Sequence, residues 1–285
     1  MKKIQKIVRN VPQHWVGDGF PVRSLFTYQT TEFDPFLLLD YAGPHQFAPS
    51  NDPRGVGEHP HRGFETVTIV YQGEVEHRDS AGNHGAIGPG DVQWMTAAAG
   101  VVHEELHGRR FTQAGGVLEM VQLWVNLPAR EKMSAPRYQE ILDRQIPVAP
   151  LNDDAGSVRV IAGEFQGAKG PARTVTPLEV WDLQLKAGGR VTLNLPDGFT
   201  TILVAQRGDL TVNDKEALAA AELALFDRTG DRVTIAAITD ARALLLAGQP
   251  LNEPVVGQGP FVMNTKEQIQ EAMMDYRAGR MGRLS

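Results

Sequence analysis

The stretch HPHRGFETVTIVYQGEVEH, residues 59–77, decides the fold, because the chain carries its pattern twice. Laid without a gap on NLPDGFTTILVAQRGDLTV, residues 194–212, it matches Gly63 to Gly198, Phe64 to Phe199, Thr66 to Thr201, Val67 to Ile202 and Gly73 to Gly208. A shared Gly-Phe-x-Thr, an apolar run and a glycine turn at one spacing imply a duplicated unit. The differences between the copies bear on function. His59 becomes Asn194, His61 becomes Pro196 and Glu65 becomes Thr200. All 8 histidines of the chain lie within residues 14–107, so the second copy keeps the pattern and loses every imidazole.

Working outward, residues 64–127 read as short apolar segments cut by turns. TVTIVYQGEVEHR turns at Gly73, SAGNHGAIGPGD is dense in turn residues, and VQWMTAAAGVVHEEL resumes extended character. In VLEMVQLWVNLP, Val121, Leu123, Val125 and Leu127 fall on one face, and Met120, Gln122, Trp124 and Asn126 on the other. Such alternation predicts half-buried strands, and their even spacing predicts an antiparallel sandwich or barrel. The 29 glycines and 18 prolines fit many short strands better than long helices. Prolines 128, 136, 147 and 150 interrupt the rhythm, which divides the chain into 1–130, a connection at 131–150, and 151–285. The last part ends in a helix: Thr265 and Gln268 form a capping-box pattern, and Ile269, Met273 and Tyr276 give its apolar stripe. Arg277, Arg280 and Arg283 read as its solvated end.

The net charge of −6, without a long basic block, argues against direct nucleic-acid binding. No apolar run approaches the ~18 residues of a membrane span, and the first residues lack the apolar core of a signal peptide. With no cysteine, disulfides and thiolate ligands are excluded. A cytoplasmic protein is the expectation.

The chemistry concentrates in two pairs. Side chains at i and i+2 of a strand share a face, about 6.5 Å apart. Pro60 holds His59 extended, so His59 and His61 form one such pair. His103 and Glu105, in GVVHEEL, form another, with Glu104 facing away. Brought together, three neutral imidazoles and one carboxylate would hold a divalent first-row metal and leave positions open for water and substrate. The residual positive charge would favour an anionic oxygen such as an enolate or phenolate. Glu65 competes for the fourth place, but it lies roughly 13 Å along an extended strand from His61, so Glu105 is preferred. The other histidines read as structural or surface groups: His77 on a polar strand face with Glu76 and Arg78, His84 in a turn, His107 in a solvated loop in preference to a supporting place beside Glu105, with which it is in phase, and His14 and His45 as surface or capping residues.

These motifs resemble the cupin pattern H-x-H-x3-E, a glycine turn, P-G-D and a distal histidine. More closely, DPFLLLDY (34–41), HPHRGFETV (59–67), PGDVQWMTAAAGVVHEE (89–105), VQLWVNLP (121–128) and GPFVMNT (259–265) resemble the pirin family of bicupins, over nearly the whole chain. The resemblance implies an all-β fold of two face-to-face jelly-roll barrels with a C-terminal helix, and a metal only in the first. It implies His59, His61, His103 and Glu105 as ligands, Glu105 also as catalytic base, and iron(II) as the ion, with nickel, copper, cobalt, manganese and zinc compatible. Some relatives cleave quercetin with O2, and a mammalian one is a nuclear transcriptional co-regulator. Two functions follow as expectations: a dioxygenase acting on a small aromatic or enolisable substrate, or a redox-sensing metalloprotein that binds a protein partner. A metal-free structural jelly roll is the third reading.

Overall fold

The computed structural model describes residues 1–284. Contacts divide them into two units, one of residues 12–32, 36–143 and 251–284, the other of 1–11, 33–35 and 144–250.

In the first unit a seven-stranded antiparallel sheet runs Arg137–Ile141, Val92–Thr96, Phe64–Gln72, Gly116–Asn126, Phe36–Phe47, Phe20–Phe26, His14–Val16. Its four-stranded partner runs Gly55–His61, Val101–His107, Val75–Asp79, His84–Ile87. The second unit repeats both orders. Its large sheet is Ile4–Val8, Glu222–Phe226, Thr200–Arg207, Ala241–Gly248, Leu178–Leu185, Gly156–Ala162, Val148–Pro150, and its small one is Arg190–Asn194, Arg232–Ala237, Leu210–Val212, Glu216–Leu218. The fold is all-β, two cupin jelly rolls, as the resemblance implied, and the repeated strand orders carry the duplication seen at 59–77 and 194–212. The matched glycines share one backbone state: Gly63, Gly73, Gly198 and Gly208 have φ of 92°, 86°, 84° and 75°. At Gly63 a side chain is also excluded by space, since a Cβ would stand 2.0 Å from the Val262 carbonyl oxygen.

Residues 131–150 do more than connect. Arg137–Ile141 adds an edge strand to the first barrel beside Val92–Thr96, and Val148–Pro150 adds one to the second beside Gly156–Ala162. The C-terminal segment, grouped by sequence with 151–285, packs in the first unit instead. Its helix Lys266–Arg277 begins at Thr265 with the capping box formed on both sides. It buries Ile269 and Ala272 against Val102, Phe261 and Met263, while Tyr276, counted in the apolar stripe, is exposed. The stripe is displaced because a helix contacts the barrel along a narrower line than its apolar residues cover.

The two interiors differ. The second barrel is filled by a continuous apolar cluster that includes Val160, Trp181, Leu193, Leu203, Val212, Val233, Ile235 and Leu245. Burial of each large aliphatic side chain there is worth about 1.5–3 kcal/mol. In the first barrel the apolar core around Phe20, Val70, Val75, Ile87, Phe111 and Met120 occupies only one part. The remainder between the sheets is polar and carries the histidines.

The C-terminal helix is tied through charge to the end of the Gly55–His61 strand. Arg62 is buried, donates from Nε to Ala99 O at 2.6 Å, and pairs through Nη2 with Asp275 Oδ2 at 2.7 Å. Asp275→Ala leaves that guanidinium buried without its carboxylate. Its expected cost is about 3 kcal/mol or more, read as the loss in unfolding free energy by urea denaturation.

Candidate metal centre

Register places the two residue pairs side by side. In the antiparallel pairing of Gly55–His61 with Val101–His107, His59 faces His103 and His61 faces Val101. On the other side of Val101–His107, the Val75–Asp79 strand sets Asp79 opposite His103 and His77 opposite Glu105. The ring centroids of His59, His61 and His103 lie 4.3–4.8 Å apart in every pairing.

Two groups of donors result, and they share His103. His59, His61 and His103 can bring one nitrogen each within 4.8 Å of the others, and His77, His103 and Glu105 form a second such group. The three predicted imidazoles therefore meet. Glu105 meets His103 but joins a group with His77 rather than with His59 and His61.

The hydrogen bonds decide which ring atoms are free. His59 Nδ1 lies 2.7 Å from Gly57 O, and His61 Nδ1 lies 3.3 Å from Pro260 O. A carbonyl oxygen only accepts, so both rings carry their proton on Nδ1 and keep the Nε2 lone pair. His103 Nε2 is buried and has no hydrogen-bond partner. Burial pushes the His61 and His103 imidazoles well below their ordinary range, reinforced at His61 by His59 and at His103 by His61, His59 and His77. Neutral rings with an unpartnered, buried nitrogen suit a bound cation, whose charge compensates the desolvated donors. The donor set fits a divalent metal.

Glu105 stands in a row of amides and hydroxyls from the large sheet. Gln122 Nε2 donates to its Oε2 at 2.8 Å, while Gln93 Nε2 lies 3.4 Å and Thr68 Oγ1 3.0 Å from Oε1. Thr68 Oγ1 also lies 2.9 Å from Gln122 Oε1, and its single proton serves one acceptor at a time. Thr68 is in register with both Gln93 and Gln122, so one cross-strand row holds the carboxylate. Glu104 faces outward, as expected, and pairs with Arg78.

Two histidines differ from their sequence reading. His77 is buried, 3% exposed, in phase with Val75 and Asp79 rather than with its charged neighbours. Its Nε2 lies 3.2 Å from Asp79 Oδ2, Gln93 Nε2 lies 3.2 Å from its Nδ1, and the Tyr138 ring stacks on it at 5.0 Å. Burial pushes the Asp79 carboxyl up, but hydrogen bonds from His77 and Asn83 outweigh this and leave it below the ordinary range. The usable signal was strand alternation: Val75, His77 and Asp79 form one face, Glu76 and Arg78 the other. His107, read as a solvated loop residue, is buried among Phe20, Phe47 and Phe111 and bonds to Gly19 O at 2.8 Å. It sits in the apolar core because it continues the inward phase of His103 and Glu105.

Glu65 belongs to neither donor group. The turn at Gly63 resets the strand phase, so Glu65 lies with Val67 on the face opposite Thr68. There it accepts from Thr96 Oγ1 at 2.7 Å.

The Pirin family model matches residues 19–125, and the model for the pirin C-terminal cupin domain matches 180–282. A Pseudomonas aeruginosa protein named "Putative quercetin 2,3-dioxygenase" is 58% identical over 282 residues, 98% of each chain. A pirin-like protein of Solanum lycopersicum is 41% identical over 93% of this chain and 88% of its own. The crystal structure of quercetin 2,3-dioxygenase from Acinetobacter baumannii superposes with a TM-score of 0.97 at 51% identity, covering 100% of both chains.

Glu65 yields a test of the buried lattice behind the site. Burial pushes its carboxyl from 4.5 up to about 7, against the hydrogen bond from Thr96. Between those values the folded protein holds a proton that the unfolded chain releases, so this group's contribution to stability falls as pH rises through the window. Glu65→Gln removes the dependence. Relative to the wild type, its unfolding free energy is expected to rise by about 2–3 kcal/mol between pH 4.5 and 8, measured by urea denaturation.

Proposed function

The chain belongs to the pirin family, and on that premise we propose that it is a metal-dependent dioxygenase that cleaves quercetin or a related flavonol. The observation that carries the reading is the convergence of three neutral imidazoles whose Nδ1 positions are occupied or engaged and whose buried His103 Nε2 has no partner. We assign His59, His61, His103 and Glu105 as the ligands of one divalent ion, iron(II) in the first instance. The names of the Pseudomonas aeruginosa and Acinetobacter baumannii proteins support the substrate class.

Bound there, the ion supplies Lewis acidity toward a substrate oxyanion and an electronic path between that substrate and O2. The residues around it do the rest. Glu105 takes the proton of the flavonol 3-hydroxyl, and Gln122 and Thr68 aim its two oxygens during that transfer. Substrate and O2 are consumed together: the heterocycle opens, both oxygen atoms enter the ester product, and one ring carbon leaves as carbon monoxide. An aromatic wall adjoins His61, with Phe64 and Trp124 at 5.1 and 5.2 Å and stacked on each other at 4.3 Å. Phe64 is fully buried, so the half-buried Trp124 is the part of this pair that offers apolar surface to a flavonol ring. His59 is half-buried where His61 and His103 are buried, so approach is from the His59 side.

Metal analysis of protein purified without chelator, followed by quercetin turnover with O2 uptake and carbon monoxide release, tests this. His61→Ala should lose metal by more than the roughly 10- to 100-fold that removing an outer partner costs, and turnover with it. Glu105→Gln, reloaded with metal, should retain substrate binding and lose about 10²- to 10⁴-fold in kcat. Full turnover by metal-free His61→Ala overturns the mechanism. A loaded protein that turns over no flavonol or enolisable compound, yet binds a partner according to its redox state, favours the regulatory role.

A further inference from the structure

We propose that Asp79 and His77 are positioning residues that set the tautomer of His103, so that its Nε2 presents a lone pair rather than an N–H to the metal position. This rests on the metal reading above.

The three imidazoles are not oriented in the same way. His59 and His61 each face a backbone carbonyl, which can only accept, so their tautomers are fixed outright. His103 has no carbonyl. Its Nδ1 lies 3.3 Å from Nδ1 of His77. A neutral imidazole nitrogen either donates or accepts, so that contact leaves two solutions. In one, His103 carries its proton on Nδ1 and has a bare Nε2. In the other the protons are reversed and an N–H blocks the metal position.

Asp79 selects between them. Its Oδ2 lies 3.2 Å from His77 Nε2, and both side chains are essentially excluded from solvent. A carboxylate only accepts, so the His77 proton is on Nε2 and its Nδ1 is an acceptor. Gln93 confirms the direction independently, since its amide nitrogen lies 3.2 Å from that same Nδ1. His103 Nδ1 is then the donor, and its Nε2 is left bare, which is the atom found buried without a partner. Asp79 is in turn held by the turn that follows it. Its Oδ1 accepts from the backbone N–H groups of Ala81 and Asn83 at 2.9 and 3.0 Å, which aims Oδ2 at His77. The relay thus runs from the 79–83 turn through Asp79 and His77 to His103.

The test exploits an inverted ranking. In Asp79→Asn the amide oxygen is retained at the Oδ1 place by the two backbone donors and Asn83 Nδ2, so the amide nitrogen takes the Oδ2 place beside His77 Nε2 and loses the Asn83 Nδ2 contact there. His77 is then pressed to carry its proton on Nδ1, against the Gln93 amide that faces it, and His103 is pressed toward the blocking Nε2–H tautomer. Asp79→Ala removes the instruction without reversing it. Nickel(II) affinity, measured by chelator competition, should therefore fall roughly 10- to 100-fold in Asp79→Asn. It should fall less in Asp79→Ala, although Asn is the closer shape. A purely structural role predicts the opposite order, with Ala the worse of the two. Nitrogen-15 imidazole spectra of the metal-free proteins give the second readout: His103 should be Nδ1–H in the wild type and Nε2–H in Asp79→Asn. This readout stands even where a variant folds poorly, because the wild-type spectrum alone decides the tautomer. An Nε2–H His103 in the metal-free wild type, or affinity lower in Asp79→Ala than in Asp79→Asn, overturns the proposal. A wild type that binds neither nickel(II) nor anaerobic iron(II) overturns the metal reading instead, and the spectra still report on the relay.

Discussion

A neutral imidazole has one N–H and one lone pair, and a buried one cannot leave the choice between them to water. That constraint organises the first barrel. Each ring must deliver its proton to a defined acceptor before its other nitrogen is useful, and the acceptors come from far-apart parts of the chain. Gly57 lies two residues from His59 on the same strand, Pro260 lies 199 residues from His61, and Asp79 reaches His103 through His77. The strand pairings, the turn after Asp79 and the docking of the C-terminal segment all serve to bring those acceptors to the rings.

The second barrel shows the same topology without this demand. There Val212 faces Ile235, the pairing that in the first barrel sets His77 opposite Glu105. Val233 and Leu193, also paired, join them in a continuous apolar core. One architecture thus accepts either an oily interior or a hydrogen-bonded polar one. The polar version is costlier to build, because each buried donor and acceptor must be matched. The Gln93–Thr68–Gln122 row against Glu105 is how that matching is achieved across the gap between the sheets.

Much of this was legible in the sequence because it is periodic. The repeat at 59–77 and 194–212 and the alternation through 120–127 follow from local rules, and so do the two i, i+2 pairs. Setting Glu65 aside by its distance from His61 along an extended strand was legible too, and Glu65 lies in neither donor group. His77 was missed because its neighbours Glu76 and Arg78 suggest a wet strand, whereas a strand's phase is set by every second residue. His107 shares the phase of Glu105, but the phenylalanines that bury it, Phe20, Phe47 and Phe111, come from other elements that its local sequence does not reveal. The separation of Glu105 from the His59–His61 group depends on how two sheets face each other, and no one-dimensional spacing encodes that distance.

The C-terminal segment makes the same point on a larger scale. A cut near residue 150 is natural for a duplicated chain, yet residues 251–284 belong with the first barrel. The reason lies at the end of the Gly55–His61 strand, whose needs its own barrel strands do not meet. His61 requires a carbonyl at its Nδ1, Arg62 requires a carboxylate, and Gly63 must lie against a neighbouring backbone. Pro260, Asp275 and Val262 supply these three in turn. Lys132 closes the same corner, donating at 2.6 Å to Gly63 O and at 3.0 Å to Val262 O. Three consecutive residues at the end of one strand thus find their complements in a segment about 200 positions later, and the orientation of the His61 ring cannot be separated from the docking of that segment.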